Sequence, residues 1–160
     1  TKTSKESISE DISSKDLSEA LYFSRVSSMI QGLELISKFS ESENHEISIV
    51  EVLENWRGGC IIRSNLLLDL KKEFSENNSF YSLDNIFNNL QQNRAAISKV
   101  LQITTKNNIP TPVLSASFNW FNNLTSVDNP SNLIQAQRDF FGRHKVQKVD
   151  SSEDINIDWD

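Results

Sequence analysis

From Ser14 onward the apolar residues return at intervals of three or four positions or their sums. Leu17, Leu21, Ile30, Leu33 and Ile36 fall on one broad face and predict a helix over about 14–39. A second start follows at Ser48, with Glu51 three residues on, the pattern of a capping box. Ile47 and Val52 stand where a hydrophobic staple would close around it. That helix should reach Trp56, after which Gly58 and Gly59 either break it or let another backbone come close. From Cys60 to Phe74 the pattern turns helical again. Ile61, Ile62, Leu66, Leu67, Leu68 and Leu70 are apolar nearly all round, as in a helix at the centre of a bundle.

Ser82 opens a fourth helical stretch, with Ile86, Phe87, Leu90, Ile97, Val100, Leu101 and Ile103, ending near Asn107. Thr111 and Pro112 read as N-cap and first helical residue of a fifth, which carries Val113, Leu114, Phe118, Trp120, Phe121 and Leu124. Asn129, Pro130 and Ser131 make a turn, and a sixth helix covers about 132–141 before Gly142 stops it. No alternating strand pattern runs longer than a few residues. The predicted class is all-α, a bundle of about six helices over 14–144. A polar linker or mobile arm precedes it at 1–13, where apolar side chains are too few to offset ordering entropy, and a polar tail follows at 145–160.

At 160 residues the chain fits one domain with a sizeable core. A net charge of −6 argues against a nucleic-acid or anionic-membrane binder. No apolar run approaches the roughly 18 residues of a membrane span. Residues 1–15 contain no signal-peptide core, and the single cysteine excludes an internal disulfide. A cytoplasmic setting is therefore expected.

Catalytic parts are few. There is no glycine-rich phosphate loop, no zinc-spaced Cys or His pair and no nucleophile elbow. His45 reads as a solvated loop residue and Cys60 as a buried, inert small hydrophobe. Arg57 and Arg63 should pair with carboxylates or carbonyl groups near the helix break. Phe118, Trp120, Phe121, Phe140 and Phe141 read as core or subunit interface.

The segment 138–148 is different. Arg138, Arg143, His144, Lys145 and Lys148 face only one acid, Asp139, in a chain that is acidic overall. A helix stop between Arg138 and His144 could aim both at one point, a guanidinium fork and an imidazole donor suited to phosphate. Cations near a helix C-terminus also favour the macrodipole, which is the alternative reading.

Two runs add a resemblance: Trp-Arg-Gly-Gly-Cys-Ile-Ile-Arg-Ser at 56–64 and Asn-Leu-Ile-Gln-Ala-Gln-Arg-Asp-Phe-Phe-Gly-Arg-His at 132–144. With Ala20-Leu21-Tyr22, Gln31-Gly32 and Ile109-Pro110-Thr111-Pro112, they resemble the all-helical C-terminal region of the decarboxylating 6-phosphogluconate dehydrogenases. The likeness spans roughly Ala20 to His144. It implies a parent enzyme that oxidises 6-phosphogluconate with NADP, releases carbon dioxide and yields ribulose 5-phosphate. It also implies a homodimer in which an arginine and a histidine of one subunit hold the sugar phosphate in the other's site. By motif these residues look like Arg138, as phosphate clamp, and His144, as hydrogen-bond donor.

The family's catalytic lysine and glutamate, and its Rossmann fold for NADP, belong to segments not contained in these residues. No catalytic residue, no bound cofactor and no metal are expected here, and the chain alone should not turn over substrate. The chain departs from the family at Phe140 and Phe141, where Tyr then Phe is usual, and at Arg143, where a small residue is usual. It also has Ile97, Ser98 and Lys99 in place of a Trp-Arg-Arg stretch, and a tail reduced to Asn156, Ile157, Asp158 and Trp159. The alternative function is a free-standing helical protein-interaction module with a basic tail.

Overall fold

The computed structural model describes residues 11–76, 83–127, 129–148 and 151–159. Six helices are found among them: α1 (Ser14–Ser42), α2 (Ile49–Gly59), α3 (Leu66–Glu76), α4 (Asp84–Lys106), α5 (Pro112–Thr125) and α6 (Ser131–Gly142). A short antiparallel pair, β1 (Val146–Gln147) and β2 (Asp154–Ile155), follows. The all-α expectation is met. Most of the proposed arm 1–13, and the opening of a helix at Ser82, lie outside the described residues. The chain divides into two compact units, Thr1–Phe121 and Asn122–Asp160.

In the first unit α1 and α4 make the most extensive helix pair. Their apolar stripes meet: Phe23, Val26, Ile30 and Leu33 are buried with Ile86, Leu90, Ile97 and Val100 in one core. Phe121 joins this core edge-on to Phe23, ring centroids 5.2 Å apart, and stacks near Phe87 at 6.3 Å. The strongest cap belongs to α1. Ser13 Oγ accepts from Asp16 N at 3.0 Å while Asp16 Oδ2 accepts from Ser13 N at 3.3 Å, a reciprocal box. The apolar period alone does not reveal this pair, because Asp16 stands where Glu or Gln is usual in such a box. At α2 only half of the expected box forms, with Glu51 N donating to Ser48 Oγ at 3.4 Å. Thr111 precedes α5, and its carbonyl accepts Ser115 N at 3.0 Å. Its hydroxyl lies 3.3 Å from that of Thr104.

One predicted helix is corrected. The 60–74 pattern does not form a helix from Cys60, because α2 continues through Gly58 and Gly59 and ends at Cys60 in extended backbone. A turn closed by Arg63 N on Cys60 O intervenes, and α3 begins only at Leu66. Nor is that stretch apolar-buried all round: Ile61 is 99% exposed, whereas Leu67, Leu70 and Phe74 face the core. Cys60, expected to be buried, is exposed. Arg57 lies close enough to Glu54 to help lower its carboxyl, after the larger effects of the Lys71 ammonium that hydrogen-bonds it. Among the described residues no helix is long and apolar enough to cross a membrane.

Candidate functional site

The second unit opens on the predicted turn. Asn129 Oδ1 accepts Ser131 N at 2.9 Å and Ser131 Oγ at 2.7 Å, which satisfies donors at the start of α6. From there α6 carries Arg138 on its exposed side, where the guanidinium Nη1 donates to Gln135 Oε1 at 3.2 Å. Four residues later, about 6 Å along the helix axis at 1.5 Å per residue, the helix reaches Gly142.

Gly142 does not end the helix in the way glycine usually does. It stays helical, and the left-handed position falls on Arg143 (φ 51°, ψ 44°), whose N–H closes on Asp139 O at 2.8 Å. Lys145 is left-handed too, at φ 65°. A non-glycine residue in this region is uncommon and needs surrounding bonds to hold it. The absence of a side chain at Gly142 has another reason: a Cβ there would stand 2.7 Å from His144 Nε2 and 2.8 Å from its Cδ2. The imidazole thus lies folded across the glycine while His144 remains exposed.

The bonds that hold this turn converge on Asp139, which is fully buried. Its Oδ1 accepts Lys145 N at 2.8 Å, and its Oδ2 accepts Ile157 N at 2.8 Å and Trp159 Nε1 at 3.2 Å. With its amide oriented to satisfy both partners, Asn156 donates to Asp139 Oδ1 at 2.9 Å and to Arg143 O at 3.0 Å. Burial pushes the Asp139 carboxyl up. The bonds from Ile157, Trp159 and Lys145, with the charge of Arg143 nearby, outweigh that and leave it below the ordinary carboxylate range. The group is therefore an ionised acceptor at neutral pH. Trp159 also meets Phe140 edge-on at 5.4 Å, which packs the end of the tail against α6.

Both sequence-predicted residues, Arg138 and His144, therefore sit at the C-terminal end of one helix, exposed, within a strongly cationic segment. Arg143 and Lys145 flank the imidazole, while Lys148 is engaged with Glu153 at 3.1 Å. Phe140 and Phe141 are 58% and 76% exposed, so they are not core of this chain. Sequence reasoning treated Asp139 only as the lone acid of the segment. That isolation was itself a usable signal, because one carboxylate among cations beside a helix stop is well placed to gather backbone donors.

The first unit contains a different concavity, an open groove of about 440 Å³ lined by Leu21, Ser24, Arg25, Trp56, Ile62 and Leu114 among others. It is mostly apolar and does not suit a phosphate. Among the described residues no cluster of His, Cys, Asp and Glu could hold a metal ion. Gly32, Gly58, Gly59 and Gly142 all lie within helices, and none opens a strand-to-helix turn.

Comparison with known proteins follows the same lines. Residues 1–159 match the family model described as 6-phosphogluconate dehydrogenase, C-terminal domain. The chain is 34% identical over 144 residues to the decarboxylating 6-phosphogluconate dehydrogenase of Buchnera aphidicola, covering 88% of this chain and 31% of that protein. It is 32% identical to decarboxylating 6-phosphogluconate dehydrogenase 1 of Oryza sativa subsp. japonica, covering 91% of this chain and 31% of that one. The solved structure of Plasmodium falciparum 6-phosphogluconate dehydrogenase, described in its apo form and in complex with NADP+ and with 6-phosphogluconate, superposes with a TM-score of 0.84 at 33% identity. That match covers 94% of this chain and 33% of the solved one. The chain spans about a third of the length of these relatives. A match along nearly its whole length, in sequence and in fold, shows that it belongs to the 6-phosphogluconate dehydrogenase C-terminal domain family.

Proposed function

We propose that this chain is the substrate-holding part of an NADP-dependent oxidative decarboxylase that converts 6-phosphogluconate to ribulose 5-phosphate and carbon dioxide. Arg138 clamps the phosphate, with the planar fork that suits its oxygens. His144 donates a hydrogen bond to the sugar acid. Both act by binding and orientation, which reduces the entropy cost of reaching the reactive geometry. The observation that carries this reading is the end of α6, where an exposed guanidinium and an exposed, folded-back imidazole share one cationic segment of an acidic chain.

NADP is bound by another part of the parent enzyme, as the family resemblance implies, and no hydride step is assigned here. The catalytic lysine and glutamate are likewise assigned elsewhere. The pair Arg138 and His144 completes the site of a second copy of the subunit, so the parent enzyme works as a homodimer in the cytoplasm. Alone, the 160-residue chain is inactive.

The test is NADPH formation by the full-length gene product supplied with 6-phosphogluconate and NADP. Turnover by that protein, and none by the isolated chain, is expected. A full-length product that binds neither compound would overturn the reading and leave the helical interaction module in its place.

A further inference from the structure

We infer that Asp139 and Gly142 are positioning residues, which fix the backbone and the ring of His144 for the substrate. This rests on the assignment of His144 to the sugar phosphate. Both neighbours of His144 are tied to Asp139. Arg143 donates its N–H to the Asp139 carbonyl at 2.8 Å, and Lys145 donates its N–H to the Asp139 carboxylate at 2.8 Å. Asn156 closes a third link by bonding the Arg143 carbonyl and that same carboxylate. His144 therefore lies in a short span clamped at both ends, between two left-handed residues that would relax if the clamp opened.

The ring depends on Gly142 separately. It lies across the space that a side chain at position 142 would take, so a Cβ there would push the imidazole from this place. The tail supplies the remaining donors, from Ile157 and the Trp159 indole. Their place in the molecule is thereby explained: they complete the shell of Asp139 although neither need touch substrate. Asparagine at 139 would present an amide N–H to at least one of these donors, so a near-isosteric change removes the clamp.

The experiment is steady-state kinetics of the full-length enzyme containing this chain, with Asp139→Asn, Gly142→Ala, His144→Ala and Arg138→Ala, and Asp139→Asn combined with His144→Ala. Misplacing an orienting group by an ångström costs up to about a hundredfold, so Asp139→Asn and Gly142→Ala should each lower kcat/KM for 6-phosphogluconate by about tenfold or more. The KM for NADP should not move. In the His144→Ala background, Asp139→Asn should add little, because its effect passes through the imidazole. Equal losses in both backgrounds, or a full kcat/KM in Asp139→Asn and Gly142→Ala, would overturn the positioning role. If Arg138→Ala and His144→Ala also leave kcat/KM unchanged, the failure lies with the phosphate assignment itself.

Discussion

The two units of this chain are held together by opposite means. In the first, α1 and α4 meet through an apolar core in which Phe23, Ile30, Leu33, Leu90 and Ile97 are buried, with the small hydroxyl residues Ser24 and Ser27 of α1 buried as well. In the second, the organising group is a single buried carboxylate that gathers donors from residues 6 to 20 positions further along. The first construction tolerates exchange of one apolar residue for another of similar volume. The second tolerates almost none, because each donor to Asp139 is placed for that acceptor. The end of α6 that we propose for the phosphate is built in the second way.

That contrast can be broken most severely in the core. Phe23→Ala removes a fully buried ring and its edge contact with Phe121, and should cost the first unit about 3–5 kcal/mol in chemical denaturation. A loss below 1 kcal/mol would mean that the core carries little of the stability. In the second unit, Asp139→Ala should abolish hydrogen-exchange protection at the amides of Lys145 and Ile157, while the amides of α1 and α4 keep theirs. Smaller effects sharpen the comparison at the rim of the bundle. Ser13→Ala deletes the cap of α1 and should cost about 1 kcal/mol.

Asp16 supplies a pH signature for the first unit. The Lys99 ammonium, at 2.7 Å, and Ser13 hold its carboxyl at about 2, below the ordinary value of 3.8. The folded value is the lower one, so this stabilisation is complete above pH 4 and fades as the pH falls toward 2. In Asp16→Asn, the acid branch of a melting-temperature profile should be shallower over that window. The smallest change expected is a gain. Nothing lies within 4 Å of a Cβ built on Gly32, so Gly32→Ala should stabilise α1 by about 0.5–1 kcal/mol in thermal melts.

The same contrast explains what the sequence made legible. The period of apolar residues located all six helices because burial of one face is a local, repeating requirement. It failed between Cys60 and Asn65, where Ile61 and Ile62 imitate a core stripe although Ile61 is almost wholly exposed. Nothing within the chain explains why an isoleucine stands there. Charge contrast, and a motif of residue types that folding alone does not demand, single out Arg138 and His144 as the proposed substrate contacts, and the structure exposes both. The grip of Asp139 on Lys145, Asn156, Ile157 and Trp159 was not legible. Those partners follow no period, and three of the contacts involve backbone N–H or indole groups that give no sign in sequence of where they will point.

The central claim is that the cationic end of α6 holds the phosphate of a sugar acid, and Arg138→Ala in the full-length enzyme tests it most directly. Loss of a charged partner to a desolvated phosphate should cost about 2–4 kcal/mol. It should appear as a KM for 6-phosphogluconate raised by one to three orders of magnitude, with the KM for NADP nearly unchanged. An unaltered KM for 6-phosphogluconate would contradict the account.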